Sequence, residues 1–455
     1  MKKISIGLLA TLKFSLILFA EQKPNVIYII ADDLGYGDLS CYGQKNWQTP
    51  NIDALAKEGL KFTNHYSGST VCSPSRASLM TGLDQGHAPI RGNGNYQLEE
   101  EDFTIAEVFK QADYITGMIG KSCVTGNTQD AQAPHVSGFD YFYGTLSHKK
   151  AHHHWPKYIF ENGEKVEIPG NKGKTGEVFI QNRYTDKALN FLEHNHEKPF
   201  FLLLSYSTPH ADVDAPAKDV EPFLGKFGEE IAYKGGHYKR TEKIKATYAG
   251  MLANLDNNLG KITAKIKELG IEENTIVCFT SDNGPHFEGG YDPEIFDSNR
   301  ELRGGKRDLY EGGIRVPFLV KWPQAVKPDT VSDHQSAFWD FMPTVCEIVG
   351  EKIPENIQGL SFLPTLKGGA QKAHPFLYWE FAAKGGKVAL RQGDWKIVGL
   401  SMQERQKKFE LYNLKDDISE ATNITESHPE KLAELKQMLK AHRASSSVKE
   451  WNFLK

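Results

Sequence analysis

The segment PNVIYIIADD, residues 24–33, decides how this chain is expected to fold. Its run at residues 26–30 is short, almost continuously apolar, and followed by Asp32 and Asp33. Such a run is typical of a buried strand in a sheet that is covered on both faces. Runs of the same character occur at residues 115–119, 200–206, 275–280 and 316–321. The sequence therefore predicts a central, mostly parallel sheet.

Helix-like stretches separate these predicted strands. They cover residues 51–58, 104–111, 185–193 and 247–269. Alternation of strands and helices predicts an α/β fold in which a large mixed, mostly parallel sheet is sandwiched by helices. Open sheets of this kind bind ligands at the carboxyl ends of their strands.

Polar side chains follow four of the five predicted strands. In chain order they are Asp32 with Asp33, Lys121, His210, and Asp282 with Asn283, while Lys306 precedes the fifth strand. These groups are expected at one edge of the sheet, which makes that edge the candidate functional site.

The pattern of apolar runs in the sequence changes beyond about residue 369. Shorter strand-like pieces occupy residues 376–381, 387–391, 395–399 and 409–412, and an amphipathic helix is predicted at 429–443. We therefore expect a main domain over residues 21–368 and a smaller α+β subdomain, with an antiparallel sheet and a helix, over residues 369–455.

Composition excludes several classes of protein. The 455 residues carry 54 Lys plus Arg against 58 Asp plus Glu, a formal charge of -4. This balance is not that of a polybasic nucleic-acid binder, and 39% hydrophobic residues do not fit a disordered chain. The five cysteines are widely spaced without a CxxC pair, which argues against a disulfide framework or a thiolate zinc site. Oligomeric state is not predicted.

Residues 1–20, MKKISIGLLATLKFSLILFA, have the pattern of a secretory signal peptide. Lys2 and Lys3 form the charged start, and Lys13 interrupts an apolar run that is short for a bilayer-spanning helix. We expect secretion or a periplasmic location without stable membrane insertion, and a membrane anchor is the alternative.

The pairs Asp32-Asp33 and Asp282-Asn283 supply hard oxygen ligands. Three carboxylates and an amide suit Ca²⁺ or Mg²⁺ better than Zn²⁺. The alternative is that both pairs are turns or helix caps, the commoner use of such dipeptides.

Residues 72–76, CSPSR, place Cys72 at a predicted helix N-terminus, since Pro74 suits a first helical turn. A thiolate there would be stabilised by the helix dipole and by Arg76. The alternative is a buried structural cysteine.

CSPSR with the following MTG at residues 80–82 resembles the signature of the formylglycine-dependent sulfatases of the alkaline phosphatase superfamily. Further blocks resemble that family in the expected order along nearly all of the mature chain, among them TPNIDALAKEGLKFTN, GHAPIRGN, FTSDNGPH and LYEGGIRVPF. The resemblance implies an alkaline phosphatase-like fold and a sulfuric ester hydrolase.

The resemblance also implies roles for single residues. Cys72 would be oxidised to formylglycine by a formylglycine-generating, sulfatase-maturating enzyme, and its side chain would complete the shell of a cation, most often calcium. The cation ligands would be Asp32, Asp33, Asp282 and Asn283; Arg76, Lys121 and Lys306 would hold the sulfate, and His210 would lie near the leaving oxygen.

The chemistry that this resemblance implies needs a hydrated aldehyde. One hydroxyl attacks sulfur, and the second lets the covalent sulfate leave by elimination. Asp282 is the expected proton acceptor. The side chains of Arg76, Lys121 and Lys306 stabilise the transition state, and His210 or Lys306 protonates the departing oxygen.

One position departs from the family pattern. Many members read GKWHLG where this chain reads GKSCVTG at residues 120–126, so Cys123 replaces the usual histidine. The group that assists elimination is therefore left open.

The histidines of residues 148–156, HKKAHHHWP, and His286 are candidate substrate contacts. We expect an exposed loop in which His152 and His154 line the cleft and meet an anionic sugar. A second metal site and a solvated loop without a role are the alternatives, and His286 is alternatively a structural histidine.

Together these features predict an exported sulfatase acting on sulfated polysaccharide or its oligosaccharides. The alternatives are a phosphonate monoester or phosphodiester hydrolase of the same superfamily and a catalytically silent protein that binds sulfated glycans.

Overall fold

The structure is a computed structural model that describes residues 23–454. The predicted signal peptide, residues 1–20, lies outside the described residues. Between residues 23 and 454, none of the helices has the length and apolar character that crossing a bilayer requires.

A mixed sheet of eleven strands forms the centre of the molecule. Its strands are β1 (Asn25–Asp32), β2 (Leu60–Tyr66), β3 (Ile115–Lys121), β4 (Tyr141–Thr145), β5 (Tyr158–Glu161), β6 (Glu164–Glu167), β7 (Phe200–Pro209), β8 (Thr275–Ser281), β9 (Arg315–Lys321), β10 (Thr330–Ser332) and β11 (Ser336–Ala337). The order is β10-β2-β9-β8-β1-β7-β3-β4-β5-β6, and β11 pairs with β2. All five predicted strands belong to this sheet.

The directions of the strands explain why polar groups meet at one edge. Strands β8, β1, β7, β3 and β4 are mutually parallel, so their carboxyl ends share that edge. Strand β9 runs antiparallel to β8 and β2. Its beginning therefore lies at the carboxyl edge of its neighbours, which brings the preceding loop and Lys306 there as well.

Twelve α-helices occur in the described part of the chain. They are α1 (Pro50–Lys57), α2 (Cys72–Thr81), α3 (Ile105–Gln111), α4 (Ala133–Val136), α5 (His148–Ala151), α6 (Ile180–Asn195), α7 (Ala217–Val220), α8 (Ile244–Glu268), α9 (Glu311–Ile314), α10 (Phe341–Val349), α11 (Leu363–Leu366) and α12 (Pro429–His442). The four predicted helices of the main domain correspond to α1, α3, α6 and α8.

The apolar residues of β1 divide between two cores. Val26, Tyr28 and Ile30 pack with α2, α3 and α10, whereas Ile27 and Ile29 pack with α1, α6 and α8. Alternate strand residues point to opposite faces, so an unbroken apolar run is what a strand with helices on both faces requires. The predicted sandwich is confirmed.

A second sheet, antiparallel, follows in the C-terminal part. Its order is β12 (Leu377–Phe381), β13 (Lys387–Gln392), β14 (Trp395–Leu400) and β15 (Lys408–Asn413). One face packs on α12, and the other packs on residues of the main sheet and its loops, including Tyr66 and Trp339. The four predicted strands and the terminal helix are all present; the boundary at residue 369 remains a prediction.

A buried ionic network joins the two sheets. Lys396 Nζ on β14 lies 2.8 Å from Glu311 Oε1 on α9 and 2.9 Å from Glu420 Oε1, and all three side chains are fully buried. Glu420 Oε2 also accepts a hydrogen bond from the Glu311 amide at 2.6 Å. Arg315 and Arg391 also pair with Glu311, at 3.3 and 3.8 Å from its Oε2. Burial raises the pKa of Glu420, and among the described residues Lys396 is the cation that pairs with this carboxyl.

We expect Lys396→Met to lower the free energy of unfolding by about 3 kcal/mol, because removing the lysine leaves the buried carboxyl of Glu420 without its cation. Denaturant unfolding measures this change. Lys408→Met is the matched control, since Lys408 pairs with Glu410 at 2.6 Å but its side chain is 65% exposed, where an ion pair contributes about 1 kcal/mol or less. Equal losses in the two variants would contradict the assignment.

Candidate active site

Four oxygen-bearing residues meet where β1 and β8 end. The Asp33 amide donates to Asp282 Oδ1 at 3.0 Å, and Asn283 Nδ2 donates to Asp33 Oδ1 at 2.7 Å. Cys72 Sγ lies 3.3 Å from Asp32 Oδ1. Ligand atoms of Asp32, Asp33, Cys72 and Asp282 all lie within 4.8 Å of one another, and all four residues are buried. The residues predicted from strand ends are therefore brought together.

The donor set of this cluster fits a hard divalent cation. Three carboxylates and a side-chain amide are the ligand types that Ca²⁺ and Mg²⁺ prefer. Asn283 Oδ1 is buried and has no hydrogen-bond partner within residues 23–454, which leaves its lone pairs available for an ion. Asp33 has a φ of 62°, a left-handed conformation that is uncommon outside glycine and often found at functional sites.

Each carboxylate of the cluster also contacts at least one cationic side chain of the protein. Lys121 Nζ lies 2.6 Å from Asp32 Oδ2, and Lys306 Nζ lies 2.7 Å from Asp33 Oδ2. Arg76 holds Asp282 Oδ2 through Nη2 at 2.8 Å and Nε at 2.9 Å. Burial, followed by the charge of Asp32, raises the pKa of Asp282. The three predicted sulfate-binding cations thus surround the carboxylates.

Cys72 is the first residue of α2, as the position of Pro74 predicted. Its side chain is buried, and burial together with the charge of Asp32 raises the pKa of the thiol well above its ordinary value. Arg76, which the sequence offered as the partner of a thiolate, is bound to Asp282 instead. The geometry therefore favours a neutral thiol over the predicted thiolate.

His210 follows β7 and pairs with Lys306. Its Nε2 lies 2.7 Å from Lys306 Nζ and 3.2 Å from Asp33 Oδ2. An ammonium group only donates, so Nε2 accepts and the ring proton is assigned to Nδ1, which faces Ala211 O. Burial, followed by neighbouring His152 and Lys306, lowers the pKa of His210 well below its usual value. The proton of this pair therefore resides on Lys306.

A cavity of about 160 Å³ opens beside Cys72. His152 lines it and stacks on the His210 ring at 3.8 Å between centroids. The other lining residues are Ser73, Asn93, Asn127, His148, Lys149, His210, Tyr238, Glu288, Lys306 and Arg307. The predicted contact residue His152 is thus at the cavity.

His154 and His286 are held by protein atoms on both ring nitrogens. His154 Nε2 lies 2.9 Å from Asp212 O, and Gln181 Nε2 donates to Nδ1 at 3.0 Å. His286 Nε2 lies 3.0 Å from Pro209 O, and its Nδ1 accepts from the Glu288 amide at 3.1 Å. This geometry favours anchoring of the loops around His210 over direct contact with substrate.

The segment at residues 148–156, predicted as an exposed loop, is partly helical and partly buried. Its first four residues form α5, and His148 is only 5% exposed. His148 Nδ1 lies 2.9 Å from Ser73 Oγ, next to Cys72, and Nε2 lies 2.8 Å from Ser122 O. A polar segment is expected to be exposed because its side chains need hydrogen-bond partners. Here protein atoms supply partners for both ring nitrogens of His148, so this part of the segment can be buried.

Sequence reasoning did not single out Glu288 and Arg307. Glu288 is bound by Arg307 and lies 3.5 Å from Lys306 Nζ. Burial opposes ionisation, but Lys306 and Arg307 lower the pKa of Glu288 to about 2. Both residues lie in loops that follow β8. Their positions in the sequence do not indicate that they line the cavity, because the path of these loops is not known before the fold.

Cys123 lies behind the cluster, not at the cavity. It is buried, and its Sγ accepts from Arg76 Nη1 at 3.4 Å. We expect Cys123→Ala and Cys123→Ser to lose less than about tenfold in kcat. General acid or base catalysis is worth about 10²–10⁴ in rate, and this thiol does not line the cavity in which it would have to act. Steady-state kinetics with Cys278→Ala, a change in the core of β8, controls for packing. A loss above about 10² with accumulated sulfo-enzyme would assign the elimination step to Cys123.

Comparisons with known proteins identify similar sequences and structures. The family model Sulfatase matches residues 24–351, and the model N-sulphoglucosamine sulphohydrolase, C-terminal, matches residues 304–447. The N-acetylgalactosamine-6-O-sulfatase of Bacteroides thetaiotaomicron is 29% identical over 92% of this chain and 93% of its own length.

Two further proteins are similar over most of the chain. The human N-acetylgalactosamine-6-sulfatase is 32% identical over 79% of this chain and 69% of its own length. The crystal structure of Ps i-CgsB in complex with k-i-k-neocarrahexaose superposes with a TM-score of 0.77 at 28% identity, covering 93% of this chain and 94% of that one.

Proposed function

Because this chain belongs to the sulfatase family and is a sulfuric ester hydrolase, we propose that it removes sulfate from carbohydrates with a formylglycine made from Cys72 and one bound divalent cation. The observation that carries the proposal is the cluster at the ends of β1 and β8. Three buried carboxylates, an amide oxygen and Cys72 lie there, and the carboxylates contact three cationic side chains.

The charges of the cluster suit an anionic ester. Asp32, Asp33 and Asp282 offset Arg76, Lys121 and Lys306 one for one. Adding a divalent cation would leave a net charge of about +2 in a buried site, where electrostatic attraction is much stronger than in water. We propose calcium as that cation, with magnesium as the alternative, since all ligands are oxygen donors.

Similar proteins support carbohydrate as the substrate class. One relative is a sulfatase of N-acetylgalactosamine, and a similar structure holds a neocarrahexaose. The cavity of this chain offers the histidine, lysine and arginine side chains of His152, Lys149 and Arg307, which suit a polar, anionic sugar. Sulfated polysaccharide or its oligosaccharides is the proposed substrate.

The proposed reaction needs two groups that the unmodified chain lacks, a divalent cation and formylglycine. A bound divalent cation supplies Lewis-acid polarisation of an ester oxygen. Formylglycine supplies, as its hydrate, a hydroxyl nucleophile and a second hydroxyl through which sulfate is eliminated. An enzyme that oxidises Cys72 is therefore a proposed partner.

The side chains of this protein would then hold the ester and move its proton. Arg76, Lys121 and Lys306 would neutralise sulfate oxygens as charge develops. Lys306 carries the proton that it shares with His210, so it is the proposed donor to the departing sugar oxygen, with His210 orienting the ammonium group.

Export is proposed from residues 1–20 alone. An exported enzyme would meet sulfated polymers that do not enter the cytoplasm.

The proposal is tested by sulfate release from sulfated mono- and disaccharides, with phosphonate monoesters measured in parallel. We expect turnover of at least one sulfated sugar by protein made in a host that converts Cys72, and none by Cys72→Ala. Faster turnover of phosphonate monoesters than of every sulfate ester would refute the substrate class.

Dependence on the leaving group tests the lysine–histidine pair. We expect Lys306→Ala to lose on the order of 10²–10⁴ in kcat on sulfated sugars, and His210→Ala to lose less. Both losses should shrink on activated aryl sulfates, whose departing oxygen needs no proton. Losses of the same size on sugars and aryl sulfates would remove both residues from proton transfer and leave only sulfate binding.

A further inference from the structure

One carboxylate and two imidazoles meet outside the active-site cavity, where the loop after α2 approaches α12. His87 Nδ1 lies 2.9 Å from Asp84 Oδ1, and His442 Nε2 contacts Asp84 Oδ2. The two histidine rings lie edge to face, 4.7 Å between centroids. The three ligand atoms are all within 4.8 Å of one another. The function proposed above uses none of these residues.

We propose that Asp84, His87 and His442 form a second metal site that binds a transition-metal ion, with Zn²⁺ as the best fit. Two imidazole nitrogens and one carboxylate oxygen, completed by water, are a common zinc ligand set, whereas Ca²⁺ prefers oxygen ligands. The active-site cluster has the opposite preference. The chain would thus hold two different ions in two places.

The ligands are held in place by their surroundings. Asp84 Oδ1 accepts a hydrogen bond from the Gly86 amide at 3.0 Å, and the His442 ring packs against Phe376 and Tyr378 at 4.8 and 5.0 Å. A Cβ added to Gly86 would lie only 3.2 Å from His442 Cδ2, so glycine lets the turn approach this ring. Groups that orient ligands in this way raise metal affinity.

An ion can reach the site from solvent. The side chain of His87 is 26% exposed and that of His442 is 15% exposed, while Asp84 is 4% exposed. His87 also borders an open cavity of about 590 Å³, which leaves room for coordinated water. An imidazole can carry its proton on either ring nitrogen, so the lone pairs of His87 Nδ1 and His442 Nε2 can be turned to a metal ion.

The consequence of such a site is a link between the two parts of the chain. Asp84 and His87 follow α2 of the main domain, and His442 is the last residue of α12, which packs on the C-terminal sheet. An ion bound by all three stabilises only the state in which α12 is docked.

The test is equilibrium dialysis of the full chain against Zn²⁺ in excess Ca²⁺, which keeps the oxygen site supplied with its preferred ion. We expect about one zinc per wild-type chain, at least about tenfold weaker binding in Asp84→Asn and His442→Ala, and wild-type binding in the control His428→Ala. His428 is exposed and immediately precedes the same helix. Zinc should raise the Tm of the wild type and the control by a few degrees, and that of the two variants by less.

Equal zinc binding in wild type and His442→Ala would overturn the proposal, as would loss of the zinc in Asp282→Asn with retention in His442→Ala. If His442→Ala does not give the circular dichroism of the wild type, His87→Gln decides, because that side chain is partly exposed. Unchanged zinc affinity in His87→Gln would also refute the site.

Discussion

Cys72→Ser is expected to abolish turnover, with a loss on the order of 10³ or more in kcat, the scale seen when a nucleophile is removed. Serine offers one hydroxyl, so sulfate transferred to it has no elimination route and stays bound. The measurement is sulfate release under multiple-turnover conditions, with mass spectrometry of the peptide that carries position 72. Wild-type protein from the same converting host should show the aldehyde.

Two controls separate chemistry from folding. Ser73→Ala changes the neighbouring hydroxyl, which contacts His148 at 2.9 Å, and should retain measurable turnover. Thermal unfolding should give similar Tm values for Cys72→Ser and wild type, because both side chains are small. Full activity in Cys72→Ser would rule out the aldehyde, and intact cysteine in fully active wild-type protein would do the same.

The second large effect is expected on removing the divalent cation. We expect chelation to lower kcat on the order of 10³-fold. A Lewis acid stabilises the transition state by several kcal/mol, and each 1.4 kcal/mol is worth about tenfold in rate. Activity should return when Ca²⁺ or Mg²⁺ is added back. Kinetics on enzyme shown by elemental analysis to be free of metal makes this measurement.

Asn283→Ala complements chelation because it removes one proposed ligand without removing a charge. The Asn283 oxygen is buried and unbonded, so its loss should raise the cation concentration needed for half-maximal activity by at least about tenfold. Asn93→Ala removes another amide that lines the cavity, one that accepts from the Ser73 amide and is not a proposed ligand, and it should leave that concentration unchanged. Full activity of metal-free enzyme would refute the metal assignment.

The central strands could be predicted because burial on both faces leaves an unbroken apolar run. Strand β2, with the sequence LKFTNHY, alternates polar and apolar residues and was not predicted. Strands β10 and β11, of three and two residues, are too short to leave a pattern. The antiparallel direction of β9 depends on its partners, which its own composition does not reveal.

The site residues that could be predicted are those next to the predicted strands. Asp32, Asp33, Asp282 and Asn283 could be predicted because each lies at or just after the carboxyl end of a strand that the apolar pattern indicates. Glu288 and Arg307 reach the cavity through the long connection between β8 and β9, and no local pattern in the sequence indicates that path. His154 and His286 look like any other histidine in the sequence, since their partners include backbone carbonyl groups of distant residues.

The central place of β1 sets an order of events during synthesis. Strand β1 is the earliest strand of the described chain, yet it pairs with β7 and β8, at residues 200–209 and 275–281. Until the ribosome has made both, Asp32 and Asp33 have no fixed position, and nothing closes over Cys72. In the finished protein Cys72 is only 2% exposed. The proposed enzyme that oxidises Cys72 would therefore have its opportunity on the nascent, incompletely paired chain, and a chain that folded first would keep its thiol.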